Sequence, residues 1–435
     1  MLSRREFFGA VGRPAAASVI ATTIRPDALP EMLGFLSDYP GASEDIARDE
    51  EFWFRIQQAF TVDRSIVNLN NGGVSPAPAV VQEAMKRYLD YSNEAPVYTM
   101  WKILEPQIEG VRQRLARAFG VDTEEIALTR NASEGLQICQ LGMDLERGDE
   151  VLTTTHDYGR MINTFKQRER REGIVMKQFS LPVPIEDKRE IVRLFEENIT
   201  DKTKVILMCH IVNITGQILP VKEVVQMARG YNIPVIVDGA HSFAHWDFTH
   251  ADLECDYYAT SLHKWLFAPH GTGMLYVRRD KIKGLWPMMA ASERQDDDIR
   301  KFEEIGTHPA ANHQAISEAL TFHEGIGAAR KGARLRYLLN YWAEPLLKDD
   351  RVVLHTSQNP EFGCGIGVVQ IKGMDSGAIG EFMWDKHRII ITPIKHSEFE
   401  GLRITPNVYT TLEEVDRFIE AMQFLLENGL PEKYL

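Results

Sequence analysis

Two short motifs contain the residue types with the clearest chemistry. The apolar run Val235–Val237 ends in Asp238 and is soon followed by His241, and Lys264 stands 26 residues beyond Asp238, directly after His263. A lysine amine can form a Schiff base with an aldehyde cofactor such as pyridoxal phosphate, and a carboxylate can keep the pyridine nitrogen of that cofactor protonated. Each residue type is common by itself, so the prediction depends on the other groups that such a cofactor needs.

Phosphate-binding groups occur in two places. Asn131 and Glu134 follow an apolar run and resemble a capping box at the start of a helix. The free backbone amides there, together with the hydroxyl of Ser133, can bind a phosphate. Helix capping alone explains this pattern equally well. Ser261 and His263 flank the lysine motif, and both can donate to a phosphate.

Two side chains can bind the phenolic oxygen of the cofactor. His241 follows Asp238 within one turn, and Asn213 lies in the run Asn213–Gly216. Asn-x-Thr-Gly is also a turn-forming pattern, so a purely structural role for Asn213 is an open alternative.

These groups follow short apolar runs that alternate with helical patterns, such as Ile191–Asn198 and Val221–Arg229. Such alternation predicts an α/β fold with a mostly parallel sheet covered by helices. Ligands bind beyond the carboxyl ends of the strands in these sheets. The predicted strands are Ile126–Thr129, Val151–Thr155, Val205–His210, Val235–Asp238, Tyr257–Ser261 and Gly273–Val277.

The chain divides into four predicted parts: a signal segment (1–27), an N-terminal segment that packs with the small domain (28–65), a large domain (66–310) and a small C-terminal α+β domain (311–435). Ser75 and Pro76 are expected to open the first helix of the large domain as N-cap and first-turn residues. The predicted elements of the small domain are helices around Ala315–Phe322 and Leu335–Tyr341, strands at Gly365–Ile371 and Arg388–Ile391, and a final helix at Leu412–Leu426.

Size and charge narrow the class of protein. The chain has 435 residues, 44% of them hydrophobic, which is enough for a large core. With 49 basic and 62 acidic residues, its net charge of −13 argues against nucleic acid or an anionic membrane as a partner. The four cysteines form no CxxC pair, so we expect buried thiols and neither a disulfide framework nor a metal site.

The N-terminus resembles a twin-arginine export signal. Arg4 and Arg5 are followed by two phenylalanines and by the small apolar run Ala15–Ala21, which is too short to span a membrane. We therefore expect a periplasmic or exported protein without a stable membrane anchor. The alternative is a chance arginine pair on a cytoplasmic protein.

Taken together, the Asp-x-Ala-His and Ser-x-His-Lys motifs at this separation resemble those of the class V, fold-type I, pyridoxal-phosphate enzymes. The similarity covers roughly residues 65 to 430. The nearest subgroup by pattern is that of the isopenicillin N epimerases, through the run His156–Gly159 and the run Arg403–Tyr409.

The resemblance implies a role for each matching position. Lys264 would bond to the cofactor, Asp238 would pair with its ring nitrogen, and His156 or Tyr158 would stack on its ring. Arg403 would bind the α-carboxylate of an amino-acid substrate bidentately, with Asn70 beside the substrate. Thr307 would reach the phosphate of a neighbouring subunit, which implies a homodimer. The residues implied for the phosphate are Ala132, Ser133, Ser261 and His263.

One departure from the family narrows the reaction. Cysteine desulfurases carry a nucleophilic cysteine shortly before the carboxylate-binding arginine, whereas Thr392–Gly401 contains none. We therefore expect an epimerase, racemase or carbon–sulfur lyase that acts through an α-carbanion. Alternatives are a class V aminotransferase with a keto-acid acceptor and an inactive binding protein.

The side chains considered as a second proton donor are Tyr98, Tyr158, His210, His308 and His396. The segments Asn93–Trp101 and Gly284–Arg300 are expected to shape the pocket for the substrate side chain.

Overall fold

The computed structural model describes residues 33–36 and 38–434. The predicted export signal at residues 1–27 lies outside these residues. Within the described part of the chain, no helix has both the length and the apolar composition needed to cross a bilayer.

The regular elements are numbered here in chain order. The strands are Val67–Asn68 (β1), Ile126–Thr129 (β2), Glu150–Thr154 (β3), Val175–Phe179 (β4), Thr203–Cys209 (β5), Val235–Asp238 (β6), Tyr257–Ser261 (β7), Gly273–Val277 (β8), Val352–Leu354 (β9), Gly367–Ile371 (β10), Ile389–Ile390 (β11), Thr392–Lys395 (β12) and Glu400–Ile404 (β13). The α-helices are Ser43–Ile46 (α1), Glu50–Gln57 (α2), Ala79–Glu94 (α3), Pro96–Tyr98 (α4), Glu105–Phe119 (α5), Ala132–Gly142 (α6), Gly159–Glu172 (α7), Lys188–Glu197 (α8), Val221–Gly230 (α9), Arg279–Ile282 (α10), Ala310–Gln314 (α11), Ile316–Ile326 (α12), Ala328–Leu346 (α13), Ser376–His387 (α14) and Leu412–Asn428 (α15). A π-helix, Thr99–Leu104, joins α4 to α5.

The central sheet has seven strands in the order β2-β8-β7-β6-β5-β3-β4. β8 is antiparallel to both neighbours, and the other adjacent pairs are parallel. In β5, Val205 and Leu207 pack into an apolar cluster on one face, while Ile206 and Met208 pack into a cluster on the other. Helices α6 and α7 contribute to the first cluster, and α3, α5 and α9 to the second. The predicted α/β fold with a mostly parallel sheet is confirmed.

The direction of the strands explains how distant residues meet. β2, β3, β5, β6 and β7 all point the same way, because β2 and β7 both lie antiparallel to β8. Their carboxyl ends therefore share one edge of the sheet, and the polar residues that follow them lie near one another.

The first helix of the large domain begins later than the sequence predicted. α3 starts at Ala79, with Pro78 as its N-cap residue in extended conformation. The residue before a proline avoids the helical region, so the Pro-Ala-Pro run delays the helix. The hydroxyl of Ser75 instead accepts from Asn407 Nδ2 at 2.8 Å. The prediction that Ser75 and Pro76 open this helix was wrong.

The C-terminal part contains an antiparallel sheet in the order β12-β13-β10-β9. Helices α13, α14 and α15 form a separate apolar cluster with this sheet. β1 pairs in parallel with β11, and a bridge between Asn70 and Thr405 continues the contact. From the N-terminal segment, Phe52 and Trp53 pack with Phe267 and Val408. The boundaries of the domains stay a prediction.

Candidate active site

A cavity of about 440 Å³ opens at the carboxyl edge of the central sheet. It is bordered by residues that follow β2, β3, β5, β6 and β7, and by β13 from the C-terminal sheet. The predicted site residues in its lining are Ala132, Ser133, Tyr158, Asn213, Asp238, His241, Ser261, His263, Lys264 and Arg403.

Lys264, His241 and Asp238 form the reactive part of this lining. Lys264 Nζ lies 3.1 Å from His241 Nε2. Burial lowers the pKa of Lys264 to about 8, although the carboxylate of Asp238 opposes the shift. Near neutral pH a fraction of this amine is therefore unprotonated, as a nucleophile or general base must be.

Asp238 is buried at the end of β6. Burial raises the pKa of Asp238 to about 6, opposed by the backbone N–H of Ala240, which donates to Oδ1 at 2.9 Å, and by the charge of Lys264. The carboxylate is thus ionised above about pH 6 and can pair with a cationic ring nitrogen.

His241 is a neutral imidazole. Burial and the charge of Lys264 hold the pKa of His241 well below its usual value. A neutral His241 that accepts from Lys264 at Nε2 carries its proton on Nδ1, and this buried atom has no hydrogen-bond partner among the described residues. Asn213 Oδ1 and Arg403 Nε are also buried without a partner. A polar ligand in the cavity would satisfy all three, so the lining fits pyridoxal phosphate with an amino acid.

The predicted phosphate end lies at the start of α6. Asn131 Oδ1 accepts from Glu134 N at 2.9 Å, and the Ser261 hydroxyl accepts from Ala132 N at 3.0 Å. The capping box is incomplete, because the Glu134 carboxylate accepts from Arg130 N instead of Asn131 N.

His263 completes that end of the lining. Its Nδ1 lies 3.1 Å from the carbonyl oxygen of Thr272, so the neutral ring uses its only N–H there. Burial lowers the pKa of His263 to about 4. Donation to a phosphate from Nε2 therefore requires a second proton, which a bound dianion would favour.

Arg403 is a buried cation on β13 without a carboxylate partner among the described residues. It donates from Nη1 to the carbonyl oxygen of Asn213 at 3.1 Å and from Nη2 to Asn70 Oδ1 at 2.9 Å. Burial lowers the pKa of Arg403 to about 10. The carboxylate of a bound substrate would offset the free-energy cost of burying the charge of Arg403. Asn70 orients the guanidinium and does not itself line the cavity.

His156 is not among the lining residues of this cavity, and its role in stacking on the cofactor stays a prediction. Its Nε2 lies 2.8 Å from Glu398 Oε2, and its ring packs edge-to-face on His396. Glu398 lies in the loop between β12 and β13. A carboxylate that is far away in the sequence therefore holds the ring that was expected to stack on the cofactor. Tyr158, the alternative for that role, does line the cavity.

His156, His396 and Glu398 are all residue types that can bind a metal ion. Ligating atoms of His156, His396 and Glu398 lie within 4.8 Å of one another. The ring Nε2 of His396, however, lies 3.0 Å from the carbonyl oxygen of Thr155, and that of His156 is paired with Glu398. The predicted lack of a metal stays a prediction.

Thr307 is not part of the lining of the Lys264 cavity of its own chain. It borders a second cavity, of about 520 Å³, together with Trp101, Arg300 and His308. The segments Asn93–Trp101 and Gly284–Arg300, expected to shape the substrate pocket, contribute nothing to the described lining around Lys264 and border this second cavity instead.

The sequence prediction missed several lining residues, among them Gly72, Cys209 and Arg160. Arg160 follows β3 in the first turn of α7. Helix starts after parallel strands face the same edge as the strand ends, so this position could have been identified. Glycine at position 72 has a steric explanation, since a Cβ there would lie 3.1 Å from Thr405 and 3.4 Å from His241.

Comparison with known proteins agrees with this arrangement. The family model for class-V aminotransferases matches residues 67–418. The chain belongs to the class-V aminotransferase family. It is therefore an enzyme that depends on pyridoxal phosphate, as the sequence predicted.

Two curated relatives and one solved structure are similar to this chain. The isopenicillin N epimerase of Streptomyces clavuligerus is 28% identical over 86% of this chain and 98% of its own length. The hercynylcysteine sulfoxide lyase of Schizosaccharomyces pombe is 23% identical over 85% of this chain and 96% of its own. A cystine C–S lyase in complex with cysteine persulfide superposes with a TM-score of 0.74 and 23% identity, over 82% of this chain and 97% of that one.

Proposed function

We propose that this class-V enzyme inverts the α-carbon of an amino acid, as an epimerase or racemase. The observation that carries the proposal is that Lys264 and Tyr158, two groups able to transfer protons, line one cavity with Arg403, a buried guanidinium that has no carboxylate partner among the described residues. The similarity to isopenicillin N epimerases over nearly their whole length supports it.

The roles of the residues follow from their surroundings. When bound, pyridoxal phosphate supplies an electron sink for negative charge at the α-carbon. Arg403 binds the α-carboxylate and so fixes the direction of the α-hydrogen. Lys264 takes that proton onto Nζ, because burial leaves part of its amine neutral near pH 7. Asp238 supplies a fixed negative charge to a protonated ring nitrogen.

Inversion also needs a second proton donor. Among the five side chains considered, Tyr158 lines the cavity. Tyr98 is exposed on α4, His308 borders the cavity of Thr307, and His396 lies in the β12–β13 loop. His210 is buried against Trp246, and burial lowers its pKa to about 3. Tyr158 is thus our candidate for the second donor.

Proton exchange in deuterated water tests this function. We expect the holoenzyme to exchange the α-hydrogen of a substrate amino acid and to racemise it. Lys264→Ala should abolish exchange, and Tyr158→Phe should slow exchange from one enantiomer at least tenfold more than from the other. Deuterium uptake with full retention of configuration would contradict the proposal, and equal effects of Tyr158→Phe on both enantiomers would remove Tyr158 from it.

Carbon–sulfur cleavage is the second candidate, supported by the similarity to a sulfoxide lyase. A persulfide route through an enzyme cysteine is not supported: all four cysteines are buried, and burial raises the pKa of each thiol. Release of a thiol together with a keto acid from cysteine derivatives would favour lyase chemistry. A keto acid formed only with a second keto acid present would favour transamination.

We also propose a homodimer in which Thr307 reaches the site of the neighbouring subunit. In its own chain, Thr307 borders a different cavity from the one that contains Lys264. Val97, Tyr98 and Trp101 are exposed large apolar side chains on consecutive turns, at 64%, 62% and 44% of full exposure. Exposed apolar groups that lie close together are typical of contact surfaces. Light scattering during gel filtration should give twice the mass of one chain.

Export by the twin-arginine route is a further proposal, supported by Arg4, Arg5 and the phenylalanines that follow. Fractionation of the native host should find the protein outside the cytoplasm. Changing both arginines to lysine should retain it inside, and a cytoplasmic location of the unaltered protein would contradict the proposal.

A further inference from the structure

The lining of the Lys264 cavity carries one more cation than the proposed chemistry uses. Its charged residues are Arg160, Lys264 and Arg403 against Asp238. Lys264 and Asp238 serve the reacting centre, and Arg403 serves the α-carboxylate. Arg160 has no role in the mechanism above.

Helix stability does not explain Arg160 at this position. It is the second residue of α7, whose N-cap Tyr158 makes no side-chain cap and whose first turn contains no acidic residue. The start of a helix carries a partial positive charge, which disfavours a cation and favours an anion. An anion between Arg160 and the start of α7 would be attracted by both.

The contacts of Arg160 place it beside the carboxylate-binding arginine. Its Nε donates to the Tyr158 hydroxyl at 3.3 Å, and it has no carboxylate partner among the described residues. Burial lowers the pKa of Arg403, and the Tyr158 hydroxyl is near enough to oppose that shift. Tyr158 is therefore near both guanidinium groups. Arg160 is exposed, whereas Arg403 is buried, so Arg160 lies toward the mouth of the cavity.

We propose that Arg160 binds a second acidic group of the substrate, one that is carried on the side chain, distal to the α-carbon. The substrate class is then an amino acid with an additional carboxylate. This inference rests on the proposed function, because it assumes that Arg403 binds the α-carboxylate of an amino acid in the same cavity.

The phosphate of the cofactor is the other anion that Arg160 could bind. The start of α6, with the hydroxyls of Ser133 and Ser261, already provides that end of the cavity with donors, and Ala132 and Ser261 are buried there. The exposed position of Arg160 next to Tyr158 favours the substrate.

Matched amino acids and matched variants test the inference on the holoenzyme. We expect kcat/KM for α-hydrogen exchange to be about 10- to 100-fold higher for glutamate and 2-aminoadipate than for glutamine and norleucine. Arg160→Met should remove this preference mainly through KM, and Arg160→Lys should keep part of it. Arg189→Met is the control, because Arg189 is also the second residue of its helix, α8, and lies on the surface away from the cavity.

A binding measurement separates the possible failures. Glutarate should raise the thermal midpoint of the holoenzyme more than butyrate does, and Arg160→Met should abolish the difference. If no amino acid exchanges its α-hydrogen, the proposed function fails, while the glutarate comparison still decides the role of Arg160. An unchanged preference in Arg160→Met would overturn the inference. Weaker binding of pyridoxal phosphate with an unchanged preference would also overturn it, and would assign Arg160 to the cofactor phosphate.

Discussion

Burial sets the chemistry of Lys264. The amine contacts His241 and is near enough to Asp238 to feel its charge, and its low pKa reflects the cost of keeping an ammonium ion away from water. The two motifs in the sequence were enough to predict this pair, because Asp238 is the last residue of β6 and Lys264 comes soon after the end of the neighbouring strand β7. Arg160 was missed because it lies just inside the start of a helix and not at the end of a strand. Glu398 was missed because it meets His156 across 242 residues of sequence.

The cost of burying the Lys264 ammonium ion should be measurable as a dependence of the stability of the protein on pH. The pKa of Lys264 falls from 10.5 in the unfolded chain to about 8 in the folded one. Below pH 8 both states bind the proton, so the folded apoenzyme bears the full penalty, about 3 kcal/mol. Above that the penalty shrinks, and it vanishes near the unfolded pKa.

Lys264→Met should therefore stabilise the apoenzyme by about 3 kcal/mol at pH 7 and by much less at pH 10. Urea unfolding of the two apoenzymes across this range measures the difference. A gain that does not change with pH would mean that the penalty does not come from ionisation. Lys386→Met, at an exposed lysine of α14, provides the control.

The hairpin formed by β12 and β13 links the two sheets and positions Arg403. Its loop carries Glu398, whose carboxylate accepts from the hydroxyls of Ser180 and Thr155, at 2.6 and 2.7 Å, and from the ring of His156. Although partial burial opposes it, these donors lower the pKa of Glu398 to about 2. The loop is thus fastened to the end of β3 over the whole physiological pH range.

Glu398→Ala should loosen this hairpin and with it the alignment of Arg403. We expect KM for the amino acid to rise about tenfold, with little change in the affinity for pyridoxal phosphate, because the lost hydrogen bonds are each worth about 1 kcal/mol or more. Ser397→Ala, at the exposed neighbouring position, should leave KM unchanged. Equal losses of cofactor and substrate affinity would instead indicate a general structural role.

Element prediction succeeded where burial on both faces produces an unbroken apolar run. β2, β6, β7 and β8 were predicted with the bounds that the structure shows. β4 was not predicted. It is an edge strand with the mixed sequence Val-Met-Lys-Gln-Phe and no fully buried residue, so its sequence lacks the signal of an interior strand.

For the molecule as a whole, the proposed dimer determines which residues complete each site. A sequence can show that Thr307 matches a family motif, but the distance from Thr307 to Lys264 in a neighbouring chain depends on the geometry of assembly. The cavity that Thr307 borders with Trp101 marks the region where we expect the neighbouring subunit to make contact.

Mixed dimers provide that test. Thr307→Ala and Lys264→Ala homodimers should each have low activity, the former through weaker binding of pyridoxal phosphate. A heterodimer of the two should recover one complete site, about half of the normal activity, because the intact Lys264 and the intact Thr307 then meet in one place. No recovery in the heterodimer would show that Thr307 acts within its own chain.

The burial of the cysteines has a practical consequence. Cys139, Cys255 and Cys364 lie in apolar clusters, with thiols that do not ionise at ordinary pH, and Cys209 borders the Lys264 cavity. Cys364 also borders a cavity of about 470 Å³. An alkylating reagent can reach Cys139 and Cys255 only when the chain opens, so the rate of iodoacetamide incorporation at these two positions reports on unfolding of the native enzyme. Cys209 should differ from them, since a reagent small enough to enter the cavity would be excluded once the cofactor fills it.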